Sequence, residues 1–598
     1  MSDPRALVAG LALVIVMLAV SWAVRRSTST TLDFYLARRQ VGPFLNACAI
    51  CGDYFSAASF LGVAGAVYAS GLDGIWFATG FAAGFVVVLL FLAAPFRRAG
   101  QFSIPDFLAH RFDSQPIRVA SVVIVQLIVL LYLIPQMTAS GLIWEVFVSR
   151  GLGGWSPYTT GIVISTAVIV VTAVVGGMKG TTWNQALQFV VKFVTVFILA
   201  LIAVGYGFSY PNAVREVSQK PLGVPTELTR AEALREGPDG RTPLEEARLV
   251  MSDAGYAQAV DSLDGGASRV EVLLPADNHL HHERALRFVE PGFRYSLWQQ
   301  IALIVTLVLG TAGLPHITNR YFTSVSGRAA RISTVWVLGL AGAFYYFAVH
   351  TGVAARSELP RFLGQGVTNA NFLDGVVRVP EKALLFLARE MGGDSLLALV
   401  SAAAFAAVFS TVAGLLIAAA TSWGHDVYEQ FINPGASEAR RIWFARMSVT
   451  VTATVAAAVG LTVPTLDFSN VPSIALMVTW AFAVAGSAFT PVFLLGVWWK
   501  RTTARGALAG IIIGASISLG FITLELLGQI GQWPSLPFSS FPSIIAAPAA
   551  AAATVVVSRL DPHAVDVTAW WLRVHGTAQE RHQSLLLRRF ESSGEGIS

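Results

Sequence analysis

The chain has 598 residues, 54% of them hydrophobic and only 13% charged, with 41 Lys and Arg against 36 Asp and Glu for a net charge of +5. A water-soluble chain of this length carries roughly 25% charge and divides into several domains, so the composition excludes an ordinary soluble protein and leaves a polytopic membrane protein. No basic block is long enough to track a nucleic-acid backbone, and the two cysteines, Cys48 and Cys51, are too few for a disulfide framework.

Apolar runs of about 20 residues can cross the roughly 30 Å hydrocarbon layer as helices. Thirteen are predicted, numbered spans 0 to 12: Ala6–Val24, Gly42–Val67, Ile75–Phe96, Val119–Phe147, Tyr158–Val175, Trp183–Val204, Leu297–Tyr321, Ile332–Val353, Leu396–Ala420, Met447–Val463, Val471–Trp499, Ala507–Leu527 and Phe541–Val557. Span 0 is too long for the apolar part of a signal peptide, and Arg25 and Arg26 follow it, which predicts an uncleaved helix. Lys and Arg crowd one set of alternating loops, among them Arg25, Arg26, Arg97, Arg98, Arg118, Arg320, Arg440, Arg441, Lys500 and Arg501. The other short loops hold fewer, chiefly Arg5, Arg150, Arg356, Arg361, Arg378, Lys382 and Arg389. The positive-inside rule then puts the N-terminus outside a plasma (inner) membrane, and the tail carrying Arg573, Arg581, Arg588 and Arg589 in the cytoplasm.

In chain order, the first polar feature inside a span is in span 1, where Gly52, Asp53, Tyr54, Ser56 and Ser59 fall at mid-depth. Cys48 and Cys51 on the same helix have no second ligand pair and read as packing residues. Gln136 in span 3 suits either a ligand contact or an interhelical hydrogen bond. Lys192 in span 5 lies at a depth similar to Asp53, and the two are expected to face one another, as a structural ion pair or across a substrate cavity. Residues 206–293 form a polar extracytoplasmic insert expected to hold two short helices and a strand. Its Asp277, His279, His281, His282 and Glu283 could hold a metal, although a solvated loop tip is the favoured reading.

Span 6 carries Gly310, Thr311, Gly313, Pro315 and His316, a second break. Backbone in lipid must satisfy its own hydrogen bonds, so such breaks belong where they face protein or a wet cavity. Spans 1 and 6 are five apart, an odd offset that reverses their direction, as in an inverted repeat with its binding site at the paired broken helices. In span 8, Ala407, Ser410 and Thr411 share one helix face. Their oxygens suit a hard monovalent cation, or the hydroxyls bond back to their own helix. No nucleotide-binding or hydrolase signature is present, which argues against a pump or an enzyme, and no cofactor is called for.

The stretches DFYLARRQVGPFLNACAICGDYFSAASFLGVAGA, GGMKGTTWNQ, GTAGLPHI and AAVFSTVAGLLIAAATSWGHDVY resemble the sodium:solute symporter family, and within it the cation/acetate symporter (monocarboxylate permease) branch. The resemblance implies an all-α fold like that of the leucine transporter, a five-plus-five inverted repeat with extra terminal helices. The segments expected are an N-terminal helix and loop at 1–32, halves at 33–205 and 294–500 flanking the insert, extra helices at 501–558 and a tail at 559–598. It further implies a sodium site between spans 1 and 8, formed by the carbonyls of Gly52 and Phe55 with Ala407, Ser410 and Thr411. A small anionic substrate would then meet Asp53, Tyr54, Ser56, Gln136, Lys192, Thr311 and His316. The expected function is sodium-coupled uptake of acetate or another short monocarboxylate across the bilayer; a different small solute is the first alternative and a transporter-like sensor the second. A small membrane partner subunit is left open.

Overall fold

Apolar helices long enough for a bilayer dominate the computed structural model, which describes residues 4–24, 30–237, 240–276, 287–364, 366–463, 473–529, 538–562, 566–577 and 579–580. The candidate metal cluster Asp277, His279, His281, His282 and Glu283 lies outside the described residues, as do Arg25, Arg26, Arg581, Arg588 and Arg589. Among the described residues nine helices are long and apolar enough to cross a membrane, and two bent pairs bring the number to eleven. The 49-residue helix Pro157–Gly205 would be roughly 74 Å long if straight, over twice the hydrocarbon thickness. Gly177, at φ 53 and ψ −160, breaks it into spans 4 and 5. With Pro4–Val24 as span 0, these helices account for the thirteen expected.

Spans 8 and 10 form the centre. Their most apolar stretches are 94% and 89% buried, against 33–50% for the other unbroken spans, so neighbouring helices enclose them on every side. The alanine-rich sequence of span 8 allows that approach, because small side chains let helix backbones come close where lipid supplies no hydrophobic drive. Cys48 and Cys51 are free, buried and part of the apolar core, as expected of packing residues.

The insert holds more regular structure than its polarity suggests. After helix Tyr210–Val217, strand β1 (Gly223–Thr229) pairs antiparallel with strand β2 (Arg269–Pro275), enclosing helices Arg230–Ala233, Pro243–Ala247 and Asp253–Asp264. The β1 sequence GVPTELT went unread as a strand because only Gly223 in it is fully buried. Leu244, Met251, Leu263 and Val272 make a small core that also takes in Leu373 from the loop before span 8. That loop is the anchor: Asp374 accepts hydrogen bonds from the Ser252 backbone N–H at 2.6 Å, from the Ser252 hydroxyl and from the Gly366 N–H at 3.0 Å. Asp374→Ala removes a carboxylate serving three donors, a loss of about 1–3 kcal/mol in local stability. Limited trypsin digestion should cut the insert near Arg235 and Arg241 at least fivefold faster in the variant. Equal rates would mean that the apolar contacts alone hold the insert down.

Candidate substrate and ion site at the broken helices

Span 1 is two helices, Pro43–Tyr54 and Ala58–Ser70, meeting at 70°. The first ends at Phe55, whose ψ of 72 is not helical, and Ser56 N–H turns back to the Tyr54 carbonyl at 2.8 Å. A helix end leaves its last carbonyls without intrahelical partners and concentrates partial negative charge there. Span 6 bends by 41° between Leu297–Gly313 and Pro315–Phe322. Leu314 is extended (φ −65, ψ 123), as the residue before a proline tends to be. A Cβ on Gly52 would lie 2.1 Å from the Gln185 carbonyl oxygen, so glycine is what lets span 5 approach the end of the first half-helix.

Asp53 is fully buried there, and its partner is Arg320. The Arg320 guanidinium donates through Nε to Asp53 Oδ2 at 3.4 Å, to Thr182 Oγ1 at 2.8 Å and to the Gln185 side-chain carbonyl. His316, one turn earlier on the same half-helix, brings Nε2 to 4.0 Å from Asp53 Oδ1. Neither imidazole nitrogen has a hydrogen-bond partner, and Asp53 Oδ1 and Gln136 Nε2 are likewise buried and unpartnered. Gln136 is fixed by its other end, since Oε1 accepts the Ala57 N–H at 3.1 Å in the break of span 1. Tyr132 lies edge-on to His316 with ring centroids 5.3 Å apart, and its hydroxyl donates to Ser56 Oγ at 3.3 Å. Tyr54 and Thr311 join the two breaks directly, their hydroxyls 2.7 Å apart.

The oxygens that the family resemblance assigns to sodium converge beside this group. Ser410 Oγ donates to the Ala407 carbonyl at 3.1 Å, and Thr411 Oγ1 donates to the Asp53 carbonyl at 2.5 Å. Into this convergence reaches Lys192. Its ammonium donates to the Gly52 carbonyl at 2.7 Å, the Phe55 carbonyl at 2.7 Å and Ser410 Oγ at 3.0 Å.

Two expectations are thereby corrected. Lys192 does not pair with Asp53, because the free carbonyls at the end of the half-helix draw the ammonium and a second cation, Arg320, serves the carboxylate. Arg320 is not a loop residue but the buried end of a half-helix. Reading Arg by loop counting missed it, although its i+4 spacing from His316 puts both on one helix face. Tyr132, Thr182 and Gln185 were also missed, being ordinary polar residues of apolar helices with no motif to mark them. The remaining expected residues, Tyr54, Ser56, Gln136, Thr311 and His316, gather around the two breaks, all buried.

The two faces of the membrane differ. On the side of the insert a cavity of about 1540 Å³ is lined by Tyr68, Glu145, Arg294, Arg356 and Glu381 among others, and none of the buried site residues lines it. Towards the other face stands a cluster of charge. Arg118 stands near the start of helix Gln115–Phe147, about 40 Å along it from Glu145. Its Nη1 donates to Asp106 Oδ1 at 3.1 Å and Asp426 Oδ1 at 2.8 Å. His425 approaches Asp106 at 3.6 Å and Glu429 at 3.1 Å, and Ser103 donates to Asp426 at 2.5 Å. Asp106, His425 and Asp426 converge closely enough for a metal, but the guanidinium already supplies the positive charge between the two aspartates.

Comparison with known proteins shows the family and the fold. A family model described as the sodium:solute symporter family matches residues 34–251 and 261–514. The chain is 32% identical over 521 residues to a protein of Corynebacterium glutamicum named monocarboxylic acid transporter, covering 86% of this chain and 82% of that one. It is 30% identical over 519 residues to the uncharacterized symporter YwcA of Bacillus subtilis, covering 86% and 85%. Among solved structures, a Na+-coupled sialic acid symporter in a substrate-bound outward-open state superposes with a TM-score of 0.65 at 16% identity, covering 94% of this chain and 99% of that one. Mhp1, a nucleobase-cation-symport-1 family transporter, does so with a TM-score of 0.51 at 15% identity, covering 92% and 99%. These two likenesses bear on the fold, which is that of leucine-transporter-like symporters.

Proposed function

Since the chain belongs to the sodium:solute symporter family, a family of transporters and not enzymes, we propose that it carries acetate or another short monocarboxylate into the cell by alternating access. In this reading it sits in the plasma membrane with its N-terminus outside and its tail in the cytoplasm. The observation that carries the reading is the set of unpartnered polar atoms at the paired breaks. Gln136 Nε2 and an N–H of His316 are buried donors without acceptors, and a buried donor left unpaired costs about 1–3 kcal/mol. A carboxylate is a small group with two acceptor oxygens, one for each donor. His316 also opens the second half of span 6, where the positive end of a half-helix favours an anion. The name of the Corynebacterium relative supports the same substrate class.

The family's description supports sodium as the coupling ion. At the expected site, however, the Lys192 ammonium already occupies the Gly52 and Phe55 carbonyls and Ser410 Oγ. The ion cluster around Arg118 closes one face while the cavity opens towards the other, which supports a gate at each end of the pathway.

Uptake of labelled acetate into proteoliposomes tests the proposal. Unlabelled propionate and pyruvate should compete, whereas a neutral amino acid, a sugar or urea should not. Gln136→Leu, which removes the donor, should raise KM by about 10- to 100-fold, the loss of a hydrogen bond to a charged group. Inhibition by a sugar or amino acid but not by monocarboxylates would reject the substrate class.

A further inference from the structure

Lys192 is fully buried, and its partners are the atoms the family resemblance assigns to sodium. An ammonium has three N–H donors and no acceptor. All three are used: on the Gly52 and Phe55 carbonyls of span 1, both at 2.7 Å, and on Ser410 Oγ of span 8 at 3.0 Å. Among the described residues Lys192 makes no ion pair, and the nearby carboxylate of Asp53 already has Arg320 at 3.4 Å. The side chain is therefore held by dipolar oxygens alone, as a small cation would be. Span 5 can deliver it because Gly52 lacks the Cβ that would otherwise meet the Gln185 carbonyl oxygen at 2.1 Å.

We propose that the Lys192 ammonium is a tethered cation that takes the place of sodium between spans 1 and 8, so that sodium does not bind there. Sodium coordinated by these oxygens would have to stand where Nζ stands, because the ammonium already takes the Gly52 and Phe55 carbonyls and Ser410 Oγ. The tether also binds span 5 into the contact, so one side chain permanently joins three helices, where a free ion would join spans 1 and 8 alone and only while bound. This inference rests on the family reading of the ion site, not on the identity of the substrate.

The test uses the full-length protein purified in detergent and follows thermal unfolding in 0 to 200 mM sodium chloride, with choline chloride holding ionic strength constant. The wild type should show no sodium-specific rise in Tm. Lys192→Met, which keeps the apolar stem and removes the charge, should acquire a saturable rise of several degrees. A saturable sodium-specific rise in the wild type overturns the proposal, and that measurement needs no variant to fold. A folded Lys192→Met protein indifferent to sodium overturns it as well. Acetate uptake in sodium-free proteoliposomes should stay within twofold of that in sodium, and a tenfold fall would also overturn it. Failure of acetate as a substrate would reject the transport reading above and leave the thermal result standing.

Discussion

Replacing Asp53 by Asn is expected to abolish uptake and to lower the stability of the purified protein by about 3–5 kcal/mol. The reason is Arg320, a guanidinium 1% exposed whose only carboxylate partner among the described residues is Asp53. Removing one partner of a buried pair leaves the other charge uncompensated, which costs more than the intact pair contributes. The neutral side chains on Arg320, Thr182 and Gln185, can hold the guanidinium in place but cannot neutralise it. The double variant Asp53→Asn with Arg320→Met should recover most of the lost stability and none of the transport. Thermal unfolding of the two variants beside the wild type decides this. If the single and double variants are equally unstable, the pair is not what Asp53 contributes. Span 8 packs closely against the carboxylate, since a Cβ on Gly414 would lie 2.1 Å from Asp53 Oδ1.

The second large effect belongs to the closed face. Arg118→Met leaves Asp106 and Asp426 facing one another with only His425 between them and the next acid, Glu429. Two carboxylates that close cannot both stay ionised without a cation, so the contact between helix Gln115–Phe147 and the end of span 8 should weaken by about 3–5 kcal/mol. Adding Asp426→Asn should restore about half of the loss, because one carboxylate can still use His425. The readout is the labelling rate of a cysteine placed at Ser422, buried beside the cluster. It should rise more than tenfold in Arg118→Met and fall back in the double variant. An unchanged rate would mean that apolar packing, not the ion cluster, shuts this face.

How much of this was legible in the sequence depends on what each residue signals by itself. The spans could be read because a bilayer demands about 20 apolar residues in a row, and the breaks because Gly52, Asp53, Gly313 and Pro315 violate that demand. The depth of Asp53 was readable too, since charge inside a span has few explanations. Its partner was not. Arg320 sits one turn from a loop, and counting positive charges treats every such residue alike. The role of Lys192 was hidden for a different reason: the resemblance marked the Gly52 and Phe55 carbonyls as ligands of an ion, but nothing in the sequence of span 5 shows that its lysine reaches them. The length of span 4 and span 5 as separate helices was legible, but the hinge that separates them depends on Gly177 alone adopting a left-handed φ, beside a second glycine that does not.

The two cysteines gain a practical meaning from their burial. Cys48 is 6% exposed and Cys51 not at all, both within the apolar core. A water-soluble maleimide should find neither, so the wild-type protein is already a silent background for reporter thiols. Cysteines can then be introduced one at a time along the 1540 Å³ cavity and beside Arg118 without first rebuilding span 1. Their labelling with and without acetate would follow the exchange between outward and inward access on the unmodified ion site.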